Sequence, residues 1–222
     1  MADFIYDPSL VLYLPLHQLD GSSFMSRDAY GHLCTVTGAA WTLQGYDFDG
    51  TDDKIDCGSN TILDNLFDGG GTVLAWINVD TDGENSEGRI FDKAVRFYTS
   101  GESGANVKLS FYIITDTTDG QWDTTATAVI RNRWEFVAVV YNADTTTNNP
   151  IIYINDEVPA LTESSTPNNT RTTDAASNFL LGDNAVGDRC FDGTIGEVLA
   201  HNRSLTPQEI QHIYLATRWR YQ

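Results

Sequence analysis

Alternation of apolar and polar residues with a period of two runs through most of this chain. Residues 107–114 show it most clearly. Val107, Leu109 and Phe111 fall on one side and Lys108 and Ser110 on the other, the pattern of a strand with one buried face. Residues 9–16, 54–57, 72–79, 89–93, 95–98, 126–130, 134–141, 151–155, 179–182 and 195–200 read as further short strands. Clusters of Gly, Asp, Asn and Thr separate them and supply turn chemistry rather than linkers. Two connections, 80–88 and 163–174, stand out as long loops able to shape a binding surface. Many short strands at roughly 10–20-residue spacing predict an all-β, two-sheet antiparallel jelly-roll sandwich.

The period changes once, near the C-terminus. Thr206 is placed to cap a helix, Pro207 takes its first position, and Glu209 completes a capping box. Ile210, Ile213 and Tyr214 then share one face, predicting one short helix that packs on the sandwich. With no repeat or boundary signal, residues 1–222 read as a single β domain.

Charge narrows the function classes. Against 13 basic residues stand 31 acidic ones, a formal net charge of −18. Such a surface repels phosphate backbones and anionic lipid, so neither nucleic acid nor a membrane surface is an expected partner. It suits a bound cation. Three widely spaced cysteines, Cys34, Cys57 and Cys190, are no disulfide framework and allow at most one bridge. The first residues show no basic segment followed by a long apolar one, so no classical signal peptide is expected. The longest apolar run, residues 10–16, is broken by Pro15 and too short to span a bilayer. The protein is read as soluble, placed on an extracellular surface or in a virion.

Six short motifs, in order, give the chain a resemblance. They are Val11-Leu-Tyr-Leu-Pro-Leu with Asp28-Ala-Tyr-Gly-His, Phe48-Asp-Gly-Thr-Asp-Asp-Lys-Ile, Val73-Leu-Ala-Trp-Ile, and Trp134-Glu-Phe-Val-Ala-Val-Val-Tyr with Ile151-Ile-Tyr-Ile-Asn-Asp. Phe191-Asp-Gly-Thr-Ile-Gly-Glu-Val and Leu205-Thr-Pro-Gln-Glu-Ile close the series. In this order they resemble the laminin-G-like jelly rolls of the concanavalin A-like lectin/glucanase superfamily. The resemblance implies the fold; it does not choose among lectins, hydrolases and adhesion modules.

Glycoside hydrolysis needs two carboxylates at a defined separation. The resemblance implies they would lie on one strand as Glu-x-Asp-x-x-Glu, and no such segment occurs. Asp52-Asp53 and the pair Glu84 and Glu87 have other spacings, and His17, His32, His201 and His212 are scattered. A catalytic role is therefore not expected.

The resemblance also implies a structural calcium ion held by the opening strand, backbone near the Phe-Asp-Gly glycine and an Asp of the closing strand. Gly50 matches the glycine, but Gly196 stands where the Asp belongs. Asp47 and Asp49 precede the turn and complete the candidate set of Asp47, Asp49, Gly50 and Gly196. A solvated acidic turn fits the same residues.

Sugar binding calls for an exposed aromatic ring with polar side chains around it. Trp76 and Trp134 match core positions of the resembled family. Trp122 instead sits among polar residues, which makes it the expected stacking platform, with Asp119, Gln121 and Asp123 as hydroxyl partners. Tyr112 and Lys108 join that surface if the two segments pair. The alternative for Trp122 is a ring folded back over a sheet edge or an oligomer contact. Two functions follow: a non-catalytic carbohydrate-binding or adhesion module with a glycan partner, or a phage head-decoration or tail protein contacting other virion proteins. A virion lectin would satisfy both, and oligomerisation is compatible with either.

Overall fold

The computed structural model describes residues 3–126 and 128–222; residue 127, within the expected strand 126–130, and residues 1 and 2 lie outside them. The alternating segments pair into two antiparallel sheets. One has seven strands, ordered Ile151–Ile154, Trp134–Tyr141, Gly71–Val79, Asp192–His201, Gly45–Asp49 and Ala40–Thr42, with Leu10–Pro15 also paired to Asp192–His201. The other has ten. Its order is Leu161–Ser165, Gly120–Thr124, Asn106–Ile113, Arg96–Ser103, Gly88–Asp92, Leu180–Leu181, Lys54–Asp56, Leu33–Thr37 and Ser23–Met25, with Val129–Ile130 beside Asn106–Ile113. This is the jelly-roll sandwich that the periodicity predicts.

Two central strands depart from simple alternation because both their faces are covered. Along Trp134–Tyr141, Val137, Val139 and Tyr141 face the ten-stranded sheet. Phe136, Ala138 and Val140 point the other way, joining Leu74, Trp76 and Leu199 beneath Ile210 and Ile213 of the helix Pro207–Thr217. Fully burying each large apolar side chain contributes about 1.5–3 kcal/mol, so this second layer is a substantial part of the fold. The helix starts as expected. Thr206 Oγ1 accepts the Glu209 N–H at 3.3 Å, and Glu209 Oε2 accepts the Thr206 N–H at 2.8 Å. No described helix is long and apolar enough to cross a membrane.

Several strands lie where composition reads as loop. Gly120–Thr124 pairs with Asn106–Ile113, and Leu161–Ser165, at the start of the second expected loop, extends the sheet beyond it. The three cysteines are free and buried. A hydrogen bond with the neighbouring Cys34 thiol, and then burial, push the Cys57 thiol up.

Candidate functional site

The register of the ten-stranded sheet collects the predicted polar residues onto one outer face. On Asn106–Ile113, Val107, Leu109, Phe111 and Ile113 are buried in the core, and Lys108, Ser110 and Tyr112 point to the other side, where Lys108 and Tyr112 are half-buried and Ser110 is covered by its neighbours. Tyr112 pairs with Gln121 on one side and Arg96 on the other; Ser110 pairs with Asp123 and Tyr98. Two transverse rows result, Arg96–Tyr112–Gln121 and Tyr98–Ser110–Asp123, about 7 Å apart along the strands. Lys108 begins a third row opposite Ser100.

These side chains form a connected network. Asp123 Oδ1 accepts the Ser110 hydroxyl at 2.6 Å and the Gln121 amide at 3.1 Å, and Asp123 also accepts the Ser164 hydroxyl. Because Ser110 donates its only proton to Asp123, its 2.7 Å contact with Ser100 makes Ser100 the donor there. Asp119 accepts the Tyr112 hydroxyl and, at 2.9 Å, the Thr115 N–H. The guanidinium groups of Arg96 and Arg89 lie 4.7 Å from the ring centres of Tyr112 and Tyr98. Burial pushes both phenols up to about 12, with Asp119 adding to the shift at Tyr112 and Glu87 at Tyr98. Both hydroxyls are thus neutral near pH 7, Tyr112 half-buried on the face and Tyr98 buried beneath it. Lys108 forms no ion pair among the described residues.

Trp122 requires a correction. It is 1% exposed and is no platform. Alternation along Gly120–Thr124 turns Gly120, Trp122 and Thr124 inward and Gln121 and Asp123 outward, so polar neighbours in sequence say nothing about its own side. Its ring packs 5.6 Å from Tyr141 and 6.2 Å from Phe111, and its Nε1 donates to Asn149 Oδ1 at 2.9 Å. Arg89, Arg96, Tyr98, Ser100 and Ser110 were not singled out by sequence reasoning. The signal available was the hairpin formed by Arg96–Ser103 and Asn106–Ile113, which sets its outer residues opposite Ser110 and Tyr112.

The expected cation ligands are not brought together. Asp49 pairs with Asp192, and Gly196 lies four positions further along that strand, about 13 Å away by strand rise. Gly196 is instead covered by the Tyr221 ring. Asp47 lies two positions before Asp49 and accepts the Thr194 hydroxyl at 3.1 Å. The Gly50 N–H donates to the Phe191 carbonyl at 3.1 Å. What does gather is Asp49, Asp52 and Asp53, whose carboxylate oxygens lie within 4.8 Å of one another. Two of these oxygens already serve backbone: Asp53 Oδ2 accepts the Asp49 N–H and Asp49 Oδ1 the Thr51 N–H, each at 2.9 Å. Burial, then repulsion from Asp49 and Asp52, pushes the Asp53 carboxyl up. Calcium takes six to eight oxygens, and this cluster by itself does not meet that requirement.

The family profile described as the concanavalin A-like lectin/glucanases superfamily, Laminin_G_3, matches residues 49–211. No curated protein matches the sequence. Among solved structures, the binding domain of Paraclostridial Mosquitocidal Protein 1 superposes with a TM-score of 0.68 at 13% identity, covering 94% of this chain and 52% of that one. The ligand binding domain of botulinum neurotoxin serotype D, in complex with N-acetylneuraminic acid, gives 0.64 at 15% identity, with 94% and 51% covered. Domain 4 of AbnA, a GH43 extracellular arabinanase from Geobacillus stearothermophilus, in complex with arabinotriose, gives 0.63 at 17%, with 93% and 98% covered. This chain therefore spans about half the length of the toxin domains it resembles and nearly all of the arabinanase domain. At these identities the likeness is one of fold.

Proposed function

We propose that this chain, which belongs to the concanavalin A-like lectin/glucanases superfamily, is a non-catalytic carbohydrate-binding module whose ligand lies across the outer face of the ten-stranded sheet. The observation that carries this reading is the double row Arg96–Tyr112–Gln121 and Tyr98–Ser110–Asp123. Rigid strands there present the half-buried Tyr112 ring beside the amide of Gln121 and the carboxylate of Asp123, over a buried base of Tyr98 and Ser110, and this is the combination that stacks on a sugar ring and bonds its hydroxyls. Lys108 and Asp119 complete the edge of the surface. The complexes of two structural relatives with N-acetylneuraminic acid and arabinotriose support a glycan as the ligand class. The carboxylates of the face argue for binding over hydrolysis, since Asp119 and Asp123 are each held by neighbouring side chains rather than presented as an opposed pair.

A glycan array tests the reading, run with wild type, Tyr112→Ala and Gln121→Ala. Binding by the wild type that falls about tenfold or more in each variant is the expected result. Wild-type silence across a broad array overturns it.

A further inference from the structure

A cleft of about 540 Å³ opens on the other side of the molecule, where the C-terminal tail crosses the seven-stranded sheet. Its walls are aromatic. Tyr221 stacks 4.7 Å from Trp76 and lies tilted 4.6 Å from Trp134, and Tyr214 lies 5.8 Å from Trp76. Trp76 is committed to structure, since it is 2% exposed and its Nε1 donates to Thr217 Oγ1 at 2.8 Å. Trp134 is different: it is half-buried, and its indole N–H has no hydrogen-bond partner among the described residues.

Beside it, on the paired strand, stands Asn78. Its Oδ1 is buried and meets no donor among the described residues. A ligand donor reaching this oxygen would satisfy an acceptor that the fold leaves unpaired. The cleft thus offers an acceptor at Asn78, a donor at Trp134 and aromatic faces between them. The charges nearby cancel. The Arg133 guanidinium is held by Glu135, which also accepts from Asn155.

We infer that this cleft is a second saccharide site, selective for a neutral sugar ring. A hydroxylated ring supplies donor, acceptor and an apolar C–H face in one ligand. A purely apolar ligand would leave Asn78 Oδ1 unpaired. An anionic sugar would find no free cation among the lining residues, because Arg133 is already neutralised by Glu135. This inference rests on the reading of the chain as a carbohydrate-binding module, and it adds a site on the sheet opposite the one proposed above.

The test is titration of the whole protein with neutral arabino- and xylo-oligosaccharides and, separately, sialyllactose. Calorimetry gives stoichiometry, and NMR follows the tryptophan indole N–H signals. The Trp134 signal is assigned by its loss in Trp134→Phe. The expected result is a shift of that signal by a neutral saccharide and not by sialyllactose. Affinity at this site should fall about tenfold in Asn78→Ala, a variant that leaves the aromatic packing in place. Tyr112→Ala should keep the Trp134 response. If a saccharide binds but leaves the Trp134 signal unmoved and is unaffected by Asn78→Ala, the cleft is overturned while the module's function stands. If no saccharide binds the wild type at all, both fail together.

Discussion

The ring of Tyr221 rests on the backbone of Gly196, so close that a Cβ at position 196 would meet its Cε1 and hydroxyl at 2.7 Å. The glycine that replaces the expected calcium-binding Asp is therefore the seat of the C-terminal tail. Gly196→Asp should destabilise the fold by about 2–4 kcal/mol, because the ring must leave its place against Trp76 and Trp134. It should bring no calcium-dependent stabilisation. Urea unfolding with and without calcium checks both, and a variant as stable as wild type would mean that the ring moves aside freely.

Trp122 serves the core. Trp122→Ala should cost about 3–5 kcal/mol, as expected for removing a fully buried indole that leaves a cavity between Phe111 and Tyr141. Denaturant unfolding measures this. Loss of glycan binding in a variant of unchanged stability would contradict the buried placement.

Acid should weaken the fold through His201. It is fully buried, its Nδ1 lies 3.0 Å from Ser9 Oγ, and burial pushes it down to about 4. With the folded value below the unfolded one, the unfolded chain takes up the proton first. The stabilisation is complete above about 6.5 and is lost as pH falls from there toward 4. One such group contributes a slope of about 1.4 kcal/mol per pH unit in that window. Half-buried His17 is pushed down to about 4 as well, again chiefly by burial, and shares the fall. His201→Gln should reduce the measured slope by close to one proton. An unchanged slope would show that His201 is not held neutral.

The cluster of Asp49, Asp52 and Asp53 should behave as a strained acidic turn. Since burial and repulsion push Asp53 up, its charged form opposes folding at neutral pH, and the opposition is relieved as pH falls below its folded value. Asp53→Asn keeps an acceptor for the Asp49 N–H and removes a charge, so its melting temperature at pH 7 should equal or exceed that of wild type. Excess chelator should leave the wild-type melting temperature unchanged; a clear fall would reveal a tightly held cation there.

What the sequence determined by itself is the architecture. The period-two run at 107–113 and the near-continuous apolar run at 134–141 marked sandwich strands, and Thr206, Pro207 and Glu209 marked the helix start, because these signals act between residues close in the chain. Lys108 and Tyr112 stand on the side that the alternation at 107–113 sets, whereas Gln121 and Asp123, in a segment that reads as loop, join that face only because Gly120–Thr124 pairs with Asn106–Ile113. Tertiary structure decided which aromatic is reachable. Trp122 and Trp134 are both tryptophans in β segments; one lies under Tyr141 in the sandwich core and the other flanks an open cleft. That difference depends on which sheet covers each ring and on a tail that returns from residue 221 to residue 196. No local pattern encodes such a contact, because it is fixed by packing between segments far apart in the chain.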